Sequence, residues 1–249
     1  MVEEPGYEVA ESGQGLEQVW GPGFMSPGGP AEVARILGDA DLTGLTVLDV
    51  GCGIGGPGMA LVVNHGARRV VGVDVQPTLL DLARARALAA GLADRLSYEV
   101  LEPGGPLPFD DDTFDVVFSK DALIHVAEKA TMFSEMLRVV RPGGRLLVSD
   151  WLRGQGAGLD QPVETFVLAA GHAFTMISLT QLEQFVREAG FENVEVQDRR
   201  DWYLEEARAE RQQMPAEERE FWDVLVASLE VGALRPGHVR ARKAAVNSP

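Results

Sequence analysis

The sequence predicts an α/β protein with a doubly wound, mostly parallel seven-stranded sheet. Short apolar runs alternate along the chain with longer segments of helical periodicity, which is the pattern of parallel strands joined by crossover helices. The first run, residues 47–50, ends in a glycine-rich loop, and the second, residues 70–74, ends on Asp74. A strand that ends in glycines and leads into a helix lets the backbone approach a ligand and directs helix N–H groups toward it. These features together predict a site for a nucleotide-like ligand.

The remaining elements follow in the order that such a sheet requires. The predicted strands comprise residues 47–50, 70–74, 96–101, 116–119, 145–150 and 191–197, with a final strand or arm near Val239. Segments with helical spacing lie between them or follow them. The predicted helices comprise residues 31–37, 58–65, 77–90, 128–140, 163–170 and 180–189, with a largely helical stretch from residue 201 onward.

The composition limits the possible partners. The chain has 249 residues, 45% of them hydrophobic, and a net charge of −16. This charge argues against nucleic acid or an acidic membrane as a partner, because both would repel the protein. Cys52 is the only cysteine, so no disulfide forms within the chain, and no apolar run reaches the roughly 18 residues of a membrane span. Since no leader segment opens the chain, we expect a cytoplasmic protein, monomeric or homodimeric, that acts on a small molecule.

The chain is expected to contain one main domain with additions. Residues 1–30 are predicted to form an N-terminal arm and a loop that covers the ligand, because the Gly- and Pro-rich end of this segment also carries two large aromatic side chains. Residues 31–249 are predicted to form the main domain. A lid insertion is expected around residues 152–177, and a helical C-terminal elaboration is expected at residues 201–235.

The spacing of the glycines distinguishes between ligands. A dinucleotide fingerprint requires G-x-G-x-x-G, whereas here Asp49 is followed by Gly51, Gly53 and Gly55 at alternate positions. This segment resembles motif I of the class I S-adenosylmethionine-dependent methyltransferases, which implies their Rossmann-like fold and S-adenosylmethionine as the cofactor. Asp74, about 20 residues after the glycines, stands where an acid meets a ribose diol. The alternatives are a glycine-rich turn without a ligand and a nicotinamide-dependent dehydrogenase.

The end of the fourth predicted strand carries the candidate base. Open α/β sheets place their chemistry at the carboxyl ends of the strands, and here residues 119–125 read SKDALIH. If this turn is helical, Asp121 and His125 share a face and the carboxylate orients the imidazole. A purely structural histidine is the alternative. No metal site is predicted, because the three aspartates at residues 110–112 are best explained as a solvated turn.

Two segments narrow the resemblance. The loop GPGFMSPGG, residues 21–29, and the segment at residues 119–125 are similar to segments of the phosphoethanolamine N-methyltransferases. This resemblance implies that His125 is the catalytic base and works with a tyrosine of the N-terminal arm, for which Tyr7 is the candidate; Asp121 is expected to support the base. The residues expected to bind the cofactor are Met25, Ser26, Asp49, Gly51, Gly53, Asp74, Val75, Leu101, Glu102 and Ser119.

The chain departs from that family where phosphate is bound. An arginine and a tyrosine bind the phosphate in the family, and the alignment places His172 and Phe174 there, with Trp151 replacing the tyrosine after the fifth strand. A neutral imidazole and apolar rings bind a dianion poorly, since charge-assisted hydrogen bonds are about twice as strong as neutral ones. We therefore expect Trp151, Phe174, Phe24 and Tyr7 to form a pocket that suits a methylammonium or an aromatic amine through cation–π contacts. The residues expected to bind the substrate are Phe24, Trp151, His172 and Phe174.

The expected function is methyl transfer from S-adenosylmethionine to the nitrogen of a small amine other than phosphoethanolamine, with His125 as general base. Glycine, sarcosine and dimethylglycine are options. Two alternatives remain open. One is O-, C- or ring-N-methylation of a natural-product small molecule, and the other is a cofactor-binding module without catalysis.

Overall fold

A computed structural model describes residues 16–216 and 219–245. The chain divides into two compact units between Pro103 and Gly104. Across the described residues, seven strands form a mixed sheet in which parallel pairs predominate, which confirms the predicted fold class. The arm boundary at residue 30 and the lid at residues 152–177 stay predictions. No helix in the described ranges is long and apolar enough to cross a bilayer.

The first unit is a three-stranded parallel layer with helices. Its strands have the order β3-β2-β1 and are joined by crossover helices. Both β1 and β2 are buried almost throughout, as expected for parallel strands covered on both faces. The elements are α1 (Gly29–Leu37), β1 (Thr46–Val50), α2 (Gly56–Val63), β2 (Arg69–Asp74), α3 (Pro77–Ala89) and β3 (Leu96–Val100).

The second unit contains four strands in the order β4-β5-β7-β6. Strands β4 and β5 are parallel, whereas β7 runs antiparallel to both β5 and β6. A short 3-10 helix, Leu123–His125, follows β4. The other elements are β4 (Phe114–Lys120), α4 (Lys129–Val139), β5 (Val140–Asp150), α5 (Asp160–Ala170), α6 (Leu179–Ala189), β6 (Glu192–Asp198), α7 (Arg200–Gln213), α8 (Arg219–Glu230) and β7 (Gly237–Arg242).

Strand β5 is the element that departs most from its prediction. Residues 141–144, read as a turn before the strand, belong to β5, which begins at Val140 rather than at residue 145. The pairing with β4 shifts between Phe114 and Val116, so the glycine-containing segment bulges without ending the strand. By contrast, α6 begins at Leu179, one residue before its predicted start, where the Ser178 hydroxyl accepts a hydrogen bond from the backbone N–H of Gln181 in a capping box.

Candidate functional site

Three strands of the first unit end at one edge. The backbone N–H groups of Gly51 and Cys52 both donate to the carbonyl of Val73, at 2.8 and 3.0 Å. The N–H of Leu101 donates to the carbonyl of Asp74 at 2.9 Å. The glycine-rich loop, the acid after β2 and the residues after β3 therefore meet at the carboxyl edge, where open α/β sheets bind ligands.

Asp74 holds the glycine-rich loop in place. Its two carboxylate oxygens accept hydrogen bonds from the backbone N–H groups of Gly53 at 2.9 Å and Gln76 at 3.0 Å. Each oxygen has a second lone-pair direction, so capacity remains for a ribose diol. Burial raises the pKa of Asp74, while these N–H donors oppose the shift.

The loop at residues 21–29 packs directly on the start of α2. The N–H of Gly56 donates to the carbonyl of Gly23 at 2.9 Å, and a Cβ at Gly56 would lie 2.3 Å from that oxygen. Only glycine permits this approach. The sulfur of Met25 lies 3.3 Å from where a Cβ of Gly53 would stand, and Met25 packs against Ile54. Met25 therefore lies beside the glycine-rich loop, as its predicted role requires.

The other predicted cofactor residues differ in exposure. Asp49 is buried within β1, and Leu101 is buried after β3. Val75 is 44% exposed and Glu102 is exposed, so both side chains are accessible beside the carboxyl edge. Ser119 belongs to the second unit, where it is buried in β4 opposite Val148. Of the loop residues, Ser26 is half-buried.

Phe24, predicted to line the acceptor pocket, is almost fully buried. The side chain is 3% exposed and forms part of the apolar core. Its role in the acceptor pocket stays a prediction. Tyr7, the candidate partner of His125, lies outside the described residues.

Asp121 does not share a helical face with His125, which corrects the premise on which we assigned it. Its backbone has a φ of 55°, outside the helical region, and the 3-10 helix begins only at Leu123. The Asp121 carboxylate contacts Lys120 Nζ at 2.8 Å and accepts hydrogen bonds from Ser149 Oγ at 2.6 Å and from Tyr203 Oη at 3.4 Å. Asp121 therefore joins β4, β5 and α7 in a buried polar network.

A different pair of residues holds the turn that carries His125. Lys129 Nζ donates to the carbonyls of Leu123 at 2.7 Å and Val126 at 2.6 Å. Asp150 Oδ1 accepts the backbone N–H of Ile124 at 3.0 Å. Both charged side chains are almost fully buried, so desolvation lowers the pKa of Lys129 and raises that of Asp150, and each opposes the shift of the other. We call Lys129 and Asp150 the turn clamp.

The turn clamp was not predicted from the sequence. Asp150 was placed only at the end of a strand, and Lys129 only in a helix. The available signal was limited to Asp150, which follows the apolar run at residues 146–148, because a buried charge requires a partner; Lys129 stands beside Glu128 in a mixed segment.

The second unit brings His125 into a cluster of rings. The His125 ring centre lies 5.2 Å from that of Phe174 and 6.3 Å from that of His172. Phe174 stacks on Phe166 at 6.0 Å, and Phe166 stacks on Trp151 at 5.9 Å. We call these five residues the ring cluster. The structure thus brings together His125, Trp151, His172 and Phe174 as predicted, and it adds Phe166, whose signal was its place on the apolar face of a predicted helix.

The surroundings of His125 favour its neutral form. Desolvation by the surrounding atoms lowers the pKa of His125 to about 4, although the residue is exposed, and the charges of His172 and Lys129 act in the same direction. Burial also lowers the pKa of His172. A neutral imidazole accepts a hydrogen bond or a proton at one ring nitrogen, which is what a general base requires.

Comparison with known proteins defines the class. Residues 48–148 match the family described as Methyltransferase domain. Together with the carboxyl-edge site, this match identifies a domain of the class I S-adenosylmethionine-dependent methyltransferase type. No cluster of His, Cys, Asp and Glu that could bind a metal ion occurs among the residues that the structure describes.

Individual relatives make the resemblance more specific. The phosphoethanolamine N-methyltransferase of Triticum aestivum is 31% identical over 82% of this chain and 39% of its own length. The 27-O-demethylrifamycin SV methyltransferase of Amycolatopsis mediterranei is 31% identical over 61% of this chain and 56% of its own. The chain resembles the phosphoethanolamine N-methyltransferases, but it spans only about two fifths of the length of the first curated relatives it matches.

The fold shows the same relationship. Phosphoethanolamine N-methyltransferase 2 of Haemonchus contortus, solved with phosphomonomethylethanolamine and S-adenosylhomocysteine, superposes with a TM-score of 0.81 at 25% identity. The match covers 96% of this chain and 59% of that one. S-adenosylmethionine is the cofactor of this class, and the residues of the first unit fit it. Asp74 offers a carboxylate to a diol, and Gly53 and Gly56 allow Met25 and Gly23 to pack closely against the glycine-rich loop.

Proposed function

We propose that this protein transfers a methyl group from S-adenosylmethionine to the nitrogen of an amine other than phosphoethanolamine, with His125 as the general base. The single observation that carries the proposal is the ring cluster, in which a neutral imidazole stands among aromatic faces. Such faces attract a cationic amine by about 0.5 to 2 kcal/mol per cation–π contact.

The charged side chains near the His125 turn support an amine rather than a phosphate. Lys120 is engaged by Asp121, and Lys129 donates to two backbone carbonyls. Arg153, after β5, forms an ion pair with Asp160. A phosphate dianion would have to displace Asp121, Asp160 or the backbone carbonyls from these cations. An amine needs only the faces of the aromatic rings and a base that accepts its proton.

The pKa of His125 constrains the acceptor. An alkyl ammonium has a pKa of about 10.4, so its proton passes to a base with a lowered pKa, such as His125, only at a cost in free energy. Desolvation among the rings lowers the pKa of a bound ammonium as well, because burial disfavours the charged form. His125 therefore acts best on an amine whose own pKa is low, or one that binds already neutral.

Residues of the first unit bind the cofactor in this proposal. Asp74 accepts the ribose hydroxyls, and Val75 offers an exposed apolar contact. When bound, the cofactor supplies an electrophilic methyl group. The protein's own contribution is to align the amine lone pair and exclude water, and such alignment can contribute roughly 7 to 11 kcal/mol.

An acceptor screen tests the proposal. The intact chain is incubated with S-adenosylmethionine and separate acceptors: anilines as amines of low pKa, primary alkyl amines, phosphoethanolamine, and phenols. Formation of S-adenosylhomocysteine is the measurement. We expect turnover with amines, and a loss of at least about a hundredfold in kcat for His125→Ala, the lower end for a positioned base. Preferred turnover of phosphoethanolamine, or an unchanged kcat in His125→Ala, contradicts the proposal.

Methylation of oxygen or carbon is the second candidate. The observation in its favour is the similarity to a relative whose name states an O-demethylrifamycin acceptor. The same screen decides between the two functions, because phenols and other hydroxyl acceptors would then be methylated while amines would not.

A further inference from the structure

The second unit contains a large open cavity next to the ring cluster. Its volume is about 620 Å³, and it is lined by one face of α5 and by the segment at residues 174–176. The apolar lining includes Val163, Val167 and Leu168 of α5, together with Phe174 and Met176. Leu168, at its rim, is 81% exposed, although leucine is usually buried. A ligand with an apolar body would cover this surface.

The cavity borders the surroundings of His125 through Phe174. Phe174 belongs to its lining and also contacts the His125 ring at 5.2 Å. The next residue, Thr175, donates its backbone N–H to the carbonyl of Ile124 at 2.8 Å. The wall of the cavity is therefore fixed to the 3-10 helix that ends at His125.

The size of the cavity argues against a very small acceptor. Pockets for drug-sized ligands have volumes of about 300 to 1,000 Å³. A volume of about 620 Å³ falls in this range. A water molecule takes about 30 Å³ of liquid volume, so a short amine of a few heavy atoms would occupy only a small part of the cavity.

The charges of the lining indicate the polarity of the ligand. Glu164 brings a carboxylate to the cavity, and the guanidinium of Arg153 is compensated by its ion pair with Asp160. The lining thus favours a neutral or cationic ligand over an anion.

We propose that this cavity binds the apolar body of the methyl acceptor, so that the acceptor is an amine bearing an aromatic ring or a comparable aliphatic group. The inference rests on the proposed function for the amine end of that molecule. It goes further by assigning the other end to α5 and by distinguishing bulky amines from short ones.

Binding of two probe amines tests the inference. The Kd values of ethylamine and 2-phenylethylamine are measured by calorimetry on the intact chain in the presence of S-adenosylhomocysteine. The phenyl ring buries additional apolar area, so we expect 2-phenylethylamine to bind at least about tenfold more tightly. Equal Kd values for the two amines would overturn the inference.

Matched variants locate the binding. Val167→Trp fills the cavity, whereas Ala169→Trp adds the same ring to an exposed position of α5 that is not part of the lining. We expect Val167→Trp to weaken 2-phenylethylamine at least about tenfold and to leave ethylamine within about twofold. Ala169→Trp should change neither Kd. If Val167→Trp does not fold, Leu168→Asp at the exposed rim replaces it and should weaken 2-phenylethylamine selectively.

The two proposals fail in different ways. Unchanged binding of 2-phenylethylamine in the folded cavity variants, with amines still methylated by the wild type, overturns the cavity assignment alone. Selective binding of 2-phenylethylamine in the cavity, with no amine methylated, contradicts the proposed reaction and leaves the apolar ligand site in place.

Discussion

Replacing Lys129 by methionine should strongly destabilise the protein. Lys129 is 3% exposed and donates two short hydrogen bonds to the carbonyls of Leu123 and Val126. Hydrogen bonds to charged groups contribute about 1.5 to 3 kcal/mol each, and the variant leaves both carbonyls without this donor. Methionine replaces the aliphatic stem, so packing is largely kept. We expect the free energy of unfolding to fall by about 3 to 6 kcal/mol at pH 7.

The partner of Lys129 provides the internal control. Without the lysine, the fully buried Asp150 carboxyl has its pKa raised still further above its unfolded value of about 3.9. The native state of Lys129→Met then retains a proton on Asp150 that the unfolded chain loses above pH about 4. The free energy of unfolding of this variant therefore falls as the pH rises from about 4 to the raised pKa of Asp150. The double variant Lys129→Met/Asp150→Asn keeps an acceptor for Ile124 N–H without a charge, so this pH dependence should disappear.

Urea denaturation of both variants at pH 5.5, 7 and 8.5 measures these effects. A single variant that loses less than about 1 kcal/mol at pH 7 would refute the energetic argument, since that is the net value of one ordinary hydrogen bond. A double variant with the same pH slope as the single one would refute the assignment to Asp150. Because the turn clamp holds the His125 turn, we also expect kcat to fall in Lys129→Met with little change in the Kd of S-adenosylhomocysteine.

Three further predictions concern the two units. Asp74→Ala should weaken the binding of S-adenosylhomocysteine by about 10- to 100-fold, since hydrogen bonds to a charged group are lost; calorimetry measures the Kd. Asp81→Ala, on the exposed face of α3, should leave this Kd unchanged. His125→Gln should reduce the loss of stability on acidification. The folded protein lowers the pKa of His125 to about 4, whereas the unfolded chain binds a proton at this residue near pH 6.5. As the pH falls from about 6.5 toward 4, protonation therefore favours the unfolded state of the wild type, and glutamine removes this effect. Gly56→Ala should lower the free energy of unfolding by about 1 to 3 kcal/mol, because the new methyl group would overpack against Gly23 in the loop at residues 21–29. Gly58→Ala should leave the free energy of unfolding unchanged, because its Cβ would make only ordinary contacts. Equal losses in urea denaturation would contradict this prediction.

Much of the fold followed from local pattern. Strand β2 and helices α3 and α6 lie within one residue of their predicted bounds, because apolar runs and glycines act over a few residues. The start of β5 was missed, because Arg141, Pro142 and the two glycines that follow signal a turn locally, and only pairing with β4 keeps them in the strand.

The candidate site shows the same division. The roles of Asp74 and the glycine-rich loop depend on strand ends that the sequence marks, and the structure joins them by hydrogen bonds. The supposed Asp121–His125 pairing depended on an assumed helix, and the positive φ at Asp121 removes it. Phe24 was assigned from its neighbours in the sequence, but its burial depends on packing.

The sequence by itself determined the α/β class, the carboxyl-edge site and the identity of the candidate base, because strand periodicity and glycine spacing are properties of consecutive residues. Only the tertiary structure decided what surrounds that base. Lys129 and Asp150 meet the His125 turn from α4 and β5. Phe174, about 50 residues further along the sequence, contacts the His125 ring, and Phe166 packs on Phe174. Contacts between such distant segments arise from packing and from the pairing of buried charges, and no short-range pattern specifies them.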